Sequence, residues 1–198
     1  MVAVVLAAGS STRMGRNKLL LHLGGESLVR RAIRAAAGAG VDRVVAVLGH
    51  EEARLRAELH GLPCSIVVNP DHAQGADTSL HSGVRAAAEA DAIVIVLADM
   101  PFVTAAMIAT LVQRHGATGA PLVVSHYGDV QAPPTLYGRA LFAELLSTHG
   151  ERCAKQVVRR HQHEAVAVAW PADTLRDIDV PEDYEVARAR LAGGSIVF

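Results

Sequence analysis

A ten-residue segment near the amino terminus, residues 9–18, combines small residues with cations directly after a short apolar run. That run, residues 2–6, is rich in β-branched side chains and predicts one buried parallel strand. Small residues let the backbone approach a ligand and direct N–H groups at it, and Arg13 and Lys18 add fixed positive charge. A loop of this kind at the end of a strand is suited to binding a polyphosphate.

Lys18 is a distinctive cation for this chain. The sequence has 19 lysines and arginines together, and only Lys18 and Lys155 are lysines. A compact ammonium suits a phosphate oxygen at a place where a flat guanidinium is harder to fit. The loop matches neither the Walker Gly-Lys-Ser/Thr pattern nor Gly-x-Gly-x-x-Gly. For the loop taken alone, an ordinary turn between a strand and a helix stays the alternative.

Acidic residues occur where the same edge of a sheet is expected. Asp99 follows residues 93–97, the clearest buried strand in the sequence, and ligands of open α/β sheets lie beyond the carboxyl ends of strands. Carboxylates together with phosphate oxygens are the usual ligands of Mg²⁺. Alternation in an extended segment places Asp177 and Asp179 on one side, where one of them could reach the same metal. The alternatives are that Asp99 caps a turn and that Asp179 caps the last helix.

Residues 75–83 carry hydroxyl groups at a helix start. Thr78 and Ser79 could donate hydrogen bonds to a nucleobase or ribose, and simple capping of the helix is the alternative. The tightest histidine group is His161 with His163, but the chain has neither His-Glu-x-x-His nor Cys-x-x-Cys, so a structural zinc site is not expected. Gly-x-Ser-x-Gly is absent too, which gives no support to a hydrolase of the α/β type.

The composition excludes several broad classes. A formal net charge of −1 and a pI near 6.8 argue against a general nucleic-acid binder. No stretch approaches the ~20 apolar residues of a membrane span, and the first apolar run is too short for a signal peptide and lacks preceding basic residues. Cys64 and Cys153 are isolated thiols. We therefore expect a cytoplasmic protein with no nucleic-acid or membrane partner.

The order of elements predicts the fold class. Apolar runs alternate with helical patterns as far as residue 124, which predicts an α/β fold in which a mostly parallel sheet has helices on both faces. The predicted strands are residues 2–6, 44–48, 65–68, 93–97 and 122–124, and the predicted helices are residues 27–37, 51–59, 78–88 and one from Thr104. Residues 126–137 are turn-rich. They are followed by two short helices (138–146 and 152–160), a strand (165–169) and a last helix (181–191).

Taken together, these segments resemble the MobA-like nucleotidyltransferase family. The family motif Leu-Ala-Ala-Gly-x-Ser-x-Arg-Met-Gly-x-x-Lys matches residues 6–18, and the similarity covers nearly the whole chain. Within the family the chain is most similar to the molybdenum cofactor cytidylyltransferases, which share the doubled alanine before Gly9, residues 97–101, and residues 177–179 ahead of Pro181. The resemblance implies a three-layer Rossmann-like fold of the nucleotide-diphospho-sugar transferase type.

The resemblance implies an enzyme that transfers CMP from CTP to the phosphate of a molybdenum-bearing pterin, with release of pyrophosphate and with Mg²⁺ or Mn²⁺ as cofactor. Its protein partner would be a client molybdoenzyme. The single domain, residues 1–198, would comprise a nucleotide-binding part (about 1–125), an acceptor-binding part (about 126–176) and a carboxyl-terminal segment with a metal ligand and the last helix (177–198).

The site residues that the resemblance implies fall into four groups. Catalysis would use Arg13, Lys18 and Asp99, and the metal would be held by Asp99 and Asp179. The nucleotide would contact Leu6, Ala7, Ala8, Gly9, Ser10, Ser11, Thr12, Arg13, Lys18, Gly75, Thr78 and Ser79. The candidates for acceptor binding are Tyr127, Gln131, Pro133, Arg152 and Lys155.

The chain departs from the cytidylyltransferase pattern in three places. The group usually has Gly-Met-Ser-Ser-Ser-Leu at residues 75–80, Gly-His-Pro at 131–133 and Gly-Asp-x-Gly-Ala-Arg at 150–155. The last two differences concern the acceptor. A guanylyltransferase for the same pterin, a cytidylyltransferase for another phosphorylated acceptor, and a carrier of the cofactor without catalysis therefore stay as alternatives. The guanylyl branch usually has Leu-Ala-Gly-Gly at residues 6–9, and a pure carrier would not need Lys18 or Asp99.

Overall fold

The computed structural model describes residues 1–150 and 152–193. Glu151 and the last five residues of the predicted segment 177–198 lie outside the described residues. The strands are β1 (Val2–Ala7), β2 (His22–Leu23), β3 (Glu26–Ser27), β4 (Arg43–Leu48), β5 (Ser65–Val68), β6 (Ala92–Leu97), β7 (Leu122–Tyr127), β8 (Val130–Gly138) and β9 (Ala165–Trp170). The helices are α1 (Leu28–Ala37), α2 (Glu52–Glu58), α3 (Ala76–Ala86), α4 (Ala105–Thr118), α5 (Phe142–Ser147), α6 (Cys153–Arg160) and α7 (Pro181–Ala192).

A seven-stranded sheet forms the centre of the described structure, in the order β5-β4-β1-β6-β8-β7-β9. β1 pairs in parallel with β4 and β6, β4 with β5, and β7 with β9. β8 runs antiparallel to both of its neighbours, β6 and β7. The predicted mostly parallel sheet is confirmed, and its continuous apolar runs are what strands buried on both faces require.

Helices cover both faces of this sheet, so the predicted three-layer α/β fold is confirmed. Alternate residues of β1 enter the two cores: Val5 packs in the cluster that contains Ile33 of α1, and Val4 in the cluster that contains Leu80 of α3. A Cβ added at Gly83 of α3 would lie 2.3 Å from Cγ1 of Val4. The glycine therefore lets α3 lie directly against β1, which fixes the height of this helix above the sheet.

The prediction of a turn-rich segment at residues 126–137 is wrong, because most of it forms a hairpin of β7 and β8. The prolines misled the prediction, since proline cannot donate to a strand ladder. Pro133 and Pro134 occupy a stretch where the pairing shifts register between Val124 and His126. Side chains bind their carbonyl groups instead: the Ser125 hydroxyl donates to Pro134 O at 2.7 Å, and the Tyr127 hydroxyl donates to Pro133 O at 2.8 Å. The strand therefore tolerates both prolines.

An ion-pair cluster ties the end of α6 to α5. Glu144 accepts hydrogen bonds from Arg160 at 2.7 Å and from His161 Nε2 at 2.6 Å, and His161 Nδ1 lies 3.0 Å from Glu164. The hydrogen bonds to Glu164 and Glu144 raise the pKa of His161 above 6.5. A histidine whose pKa is raised by folding stabilises the fold fully below its unfolded pKa, and this stabilisation is lost as pH rises through the folded pKa.

We expect His161→Gln to lower the free energy of unfolding at about pH 6 by up to ~1 kcal/mol, the range of partly exposed ion pairs. At about pH 9 the variant and the wild type are expected to be equally stable, because the wild-type imidazole is then neutral. Urea unfolding of both proteins at the two pH values measures the difference. A loss of the same size at both pH values would show that the imidazole acts by packing and not by its charge.

Candidate active site

The loop after β1 folds back on itself and delivers Lys18 to the edge of the sheet. Two residues in the left-handed region make the turns, Ser11 (φ 52°) and Gly15 (φ 65°). The Ser11 hydroxyl accepts a hydrogen bond from the Lys18 amide at 3.2 Å, which closes the loop. Asn17 begins the following helical turn by accepting from the Leu19 amide at 3.1 Å.

The Lys18 ammonium lies between two carboxylates. Its Nζ is 2.6 Å from Oδ2 of Asp99 and 2.8 Å from Oδ1 of Asp179, and the lysine side chain is only 12% exposed. Arg13 lies beside them, with Nη2 2.8 Å from the other oxygen of Asp179. The structure therefore brings together four residues that the sequence analysis singled out, although they come from three distant parts of the chain.

Backbone contacts explain why Asp99 and Asp179 meet. Asp99 lies in the turn after β6, and its carbonyl accepts a hydrogen bond from the Ile178 amide at 3.0 Å. The Ile178 side chain is fully buried. Asp183 caps the last helix, since its carboxylate accepts from the Asp179 and Val180 amides at 2.9 and 3.0 Å. The alternative that Asp179 caps this helix is wrong, and its carboxylate is left to bind Lys18 and Arg13.

The charges in this group stabilise one another. Burial by itself would lower the pKa of Lys18, but the negative charge of Asp99 and hydrogen bonds to Asp179 and Asp99 outweigh it, so the pKa lies above its usual value. Burial would likewise raise the pKa of Asp179, but Lys18 and Arg13 hold that pKa below its usual range. Lys18 and Asp179 are therefore both charged at neutral pH.

Asp99 and Asp179 are the residues that could hold a metal ion. Each places a carboxylate oxygen within 2.8 Å of the same ammonium nitrogen, so the two oxygens converge on one point. Within residues 1–150 and 152–193, no three acidic, histidine or cysteine side chains form a ready metal cage. Two carboxylates without a cage fit a hard divalent cation such as Mg²⁺, which usually takes one or two carboxylates together with substrate phosphates.

A buried asparagine that the sequence analysis did not identify holds the predicted hydroxyl pair. Asn69 follows β5 and is 2% exposed. Its Nδ2 donates to the hydroxyls of Thr78 at 2.8 Å and of Ser79 at 3.0 Å, and its Oδ1 accepts from the Asp71 amide at 3.0 Å. The only sequence signal is its position at the carboxyl end of a strand before Pro70.

Helix α3 begins before the predicted hydroxyls. Gly75 occupies the N-cap position and the first helical residue is Ala76, so the alternative that Thr78 or Ser79 caps this helix is wrong. The Thr78 hydroxyl instead donates to carbonyls within the preceding turn, those of Gly75 at 2.8 Å and Asp71 at 3.1 Å. Both hydroxyls therefore lie inside the first turn of α3, at the same edge of the sheet as the loop.

The other predicted nucleotide-binding residues differ in the exposure of their side chains. Ala7 and Ala8 are buried, so only their backbone groups could reach a ligand. Gly9, Ser10 and Thr12 are exposed. A Cβ added at Gly9 would meet no atom within 4 Å. The exposed part of the loop therefore faces open space.

A cavity of about 310 Å³ lies next to the cluster of Lys18, Asp99 and Asp179. Its wall is mostly apolar, with Leu80, Ile95, Leu97 and Met100 among its residues, and it includes Asp177. Four of the five predicted acceptor residues line it, namely Gln131, Pro133, Arg152 and Lys155, and so does Leu6 from the predicted nucleotide set.

Tyr127 does not belong to the lining of this cavity. It is 2% exposed, and its hydroxyl donates to the carbonyl of Pro133. The structure therefore corrects the predicted acceptor set: Tyr127 is a core residue that supports Pro133 from behind. A separate, more open cleft of about 480 Å³ lies between the β2–β3 hairpin and α7, and its lining contains none of the predicted site residues.

The helices were compared with the requirements of a membrane span. None of those in the described part of the chain combines the length and the apolar character that crossing a bilayer requires.

Comparison with known proteins places this site in a family. The family model described as MobA-like NTP transferase domain matches residues 3–166. The purine catabolism protein PucB of Bacillus subtilis is 34% identical over 203 residues, which cover 97% of this chain and 98% of that protein.

Two solved structures are similar in fold over nearly the whole chain. The homologue of Mycobacterium tuberculosis Rv0371c from Mycobacterium sp. strain JC1 has a TM-score of 0.84 at 27% identity and covers 98% of both chains. The complex of Mycobacterium tuberculosis Rv0371c with manganese has a TM-score of 0.81 at 28% identity and covers 95% of this chain and 97% of the other. The chain belongs to the MobA-like NTP transferase family and is a nucleotidyltransferase.

Proposed function

We propose that this nucleotidyltransferase moves CMP from CTP to the phosphate of a molybdenum-bearing pterin, with release of pyrophosphate and with Mg²⁺ or Mn²⁺ as cofactor. The observation that carries the proposal is the convergence of Lys18, Asp99 and Asp179 beside the loop of residues 9–18, next to a cavity with two further cations. Such an arrangement separates a place for a triphosphate from a place for a phosphorylated acceptor.

The loop has features that its own folding does not require. Gly9 is outside the left-handed region and has open space where a Cβ would stand, so neither backbone strain nor packing demands glycine there. A ligand that approaches the backbone closely would explain why this residue is a glycine. The Arg13 side chain is 68% exposed, which leaves part of its guanidinium available to phosphate oxygens. Both features support a triphosphate on the loop.

The reaction is a displacement at phosphorus. An oxygen of the acceptor phosphate bonds to the α-phosphorus of the nucleotide. The bond from this phosphorus to the oxygen that bridges the α- and β-phosphates breaks, and that oxygen leaves with the pyrophosphate. The nucleophile is already an anion, so no side chain needs to remove a proton. The pKa of Lys18 is raised by its two carboxylate neighbours, and the ammonium would stabilise the negative charge that accumulates on the phosphate oxygens. Asp99 and Asp179 would hold the divalent ion, which supplies further positive charge when bound.

The cavity supports a flat acceptor with an acidic group. Its apolar side chains can pack on a ring system, and Gln131 can pair with the ring's polar edge. Arg152 and Lys155 provide the charge for a phosphate. Two of the chain's three departures from the cytidylyltransferase pattern, at residues 131–133 and 150–155, fall at these residues of the cavity.

Pyrophosphate release from each of the four common nucleoside triphosphates, with molybdenum cofactor and Mg²⁺ present, tests the proposed function. We expect CTP to give a kcat/KM at least about tenfold above that of GTP, since a site that pairs with one base leaves its polar groups unpaired with another. A preference for GTP would assign the protein to the guanylyl branch. Tight binding of the cofactor without pyrophosphate release from any triphosphate would favour the carrier.

Arg152→Ala and Lys155→Ala test the assignment of the cavity. Each substitution is expected to raise the KM for the acceptor about tenfold or more, the value of one charge-assisted hydrogen bond, while the KM for CTP stays within about twofold. Arg159→Ala is the matched control, because Arg159 is an exposed cation of the same helix that is absent from the cavity wall. Equal effects of all three substitutions would place the acceptor elsewhere.

A further inference from the structure

The connection between α5 and α6 is attached to α3 by buried polar groups. The Asp77 carboxylate accepts a hydrogen bond from the Gly150 amide at 2.9 Å. His81 Nε2 lies 3.0 Å from the carbonyl of Thr148 and, as an N–H, donates to it. Asp77, His81 and Thr148 are 8%, 5% and 7% exposed. A buried carboxylate and a buried imidazole of one helix thus hold both ends of the segment 148–150.

The environment of Asp77 keeps its carboxylate ionised and fixed. The hydrogen bond from Gly150 contributes most to a pKa below the usual value, and the amides of the first turn of α3 add to it. Nδ1 of His149 lies 3.6 Å from the same carboxylate oxygen, and its ring meets the ring of His81 edge-on with centroids 5.3 Å apart. Asp77, whose side chain is 11% exposed, is therefore a specific anchor for Gly150.

Gly150 in turn carries the start of α6. Its carbonyl accepts a hydrogen bond from the Cys153 amide at 3.0 Å, in the first turn of this helix. Arg152 and Lys155, the two cations of the cavity, lie in that same turn. Their placement therefore depends on where Gly150 is held. Helix α3 is itself fixed by the contact of Gly83 with β1 and contributes Ala76 and Leu80 to the cavity wall.

We propose that Asp77 is a positioning residue for the acceptor: by holding Gly150 to α3, it sets the first turn of α6 and with it the two cations that bind the acceptor's acidic group. His81 acts in the same way at Thr148. The inference rests on the proposed function, because it takes the cavity as the acceptor site. Asp77 itself is not part of the cavity wall. A carboxylate with only a stabilising role would affect both substrates alike, which separates the two interpretations.

The test compares Asp77→Ala with Asp77→Asn. Alanine removes the acceptor of the Gly150 hydrogen bond, whereas asparagine retains an oxygen that can accept it. We expect Asp77→Ala to raise the KM for the molybdenum cofactor about tenfold, with the KM for CTP within about twofold, because a small misplacement of binding groups weakens only the contacts they make. We expect Asp77→Asn to restore most of the affinity. Asp91→Ala, which removes a carboxylate that is 92% exposed beyond the end of α3, is the control and should match the wild type.

Amide hydrogen exchange in the substrate-free protein gives a second readout. Asp77→Ala should speed exchange at Gly150 and in the first turn of α6 by about tenfold or more, while β1 and β6 exchange as in the wild type, which also verifies that the variant is folded. Unchanged exchange there, or an equal rise in both Michaelis constants, would overturn the proposal. If the wild type transfers no nucleotide, the proposed function fails. The exchange result still decides whether Asp77 holds the segment.

Discussion

Replacing Lys18 with methionine is expected to lower kcat by about 10²–10³-fold, the usual effect of removing one charge-stabilising group from a transition state. Methionine keeps the length and apolar stem of lysine and removes the charge. The loss is expected to be large because Lys18 is mostly buried and ion-paired at 2.6 and 2.8 Å. Water cannot readily replace a charge at such a position. Steady-state pyrophosphate release with saturating CTP, acceptor and Mg²⁺ measures the effect.

A second expectation for Lys18→Met concerns the affinity for a divalent ion, which should rise although kcat falls. In the absence of nucleotide, the Lys18 ammonium occupies the point on which the oxygens of Asp99 and Asp179 converge, so it competes with a divalent ion for them. Lys18→Met should therefore bind Mn²⁺ more tightly than the wild type while turning over more slowly. Lys18→Arg, which keeps the charge in a larger planar group, should restore only part of the activity. A kcat within a factor of about three of the wild type in Lys18→Met would remove this residue from the chemistry.

Asp99→Asn is expected to lower turnover by about 10²-fold or more and to weaken the binding of Mn²⁺ in the presence of CTP. The substitution keeps the shape of the side chain and removes its charge, and carboxylates are the ligands that hard divalent cations prefer. Asp179→Asn should act in the same direction, since both carboxylates contact the same nitrogen. Titration of kcat against Mg²⁺ concentration, together with calorimetry of Mn²⁺ binding, measures both effects.

Asp173→Asn is the control for these two substitutions. The Asp173 side chain is 70% exposed, pairs with Arg190 and lies in the same carboxyl-terminal part of the chain. It should leave metal binding and turnover unchanged. If Asp99→Asn binds Mn²⁺ as the wild type does, then Asp99 is not a metal ligand, and the alternative that it caps a turn becomes the better interpretation.

The parts of the fold that the sequence predicts are those fixed by local pattern. Continuous apolar runs such as β6 identify buried strands, because only strands covered on both faces need no polar side. Once these strands are ordered in parallel, the position of Asp99 after β6 and of Lys18 after β1 puts both at one edge. Alternation in the extended segment offers both Asp177 and Asp179, and only the family resemblance implies Asp179. The meeting of Lys18 and Asp99 at one edge was therefore predictable from the order of strands, whereas the choice of Asp179 was not.

The parts that the sequence does not predict depend on distant partners. β8 holds two prolines because Ser125 and Tyr127 bind their carbonyl groups, and neither partner is visible in a local pattern. Asn69 is ten residues from Ser79, yet it holds that hydroxyl only because β5 and the start of α3 meet in the fold. Tyr127 has the residue type of a binding residue but packs into the core. In each case the role of the residue depends on tertiary contacts that the local sequence does not reveal.

The hydrogen bond from the Ile178 amide to Asp99 also has a consequence during synthesis. All seven strands of the central sheet are complete at Trp170, so a growing chain can assemble the sheet and the loop of residues 9–18 before Asp179 leaves the ribosome. Until then, Lys18 can pair with Asp99 but not with Asp179, and the proposed divalent ion would have only one of its two proposed carboxylate ligands. We therefore expect nascent chains that stop before residue 177 to lack metal-dependent transfer, and the activity to appear only once Asp179 has been added and has reached Lys18.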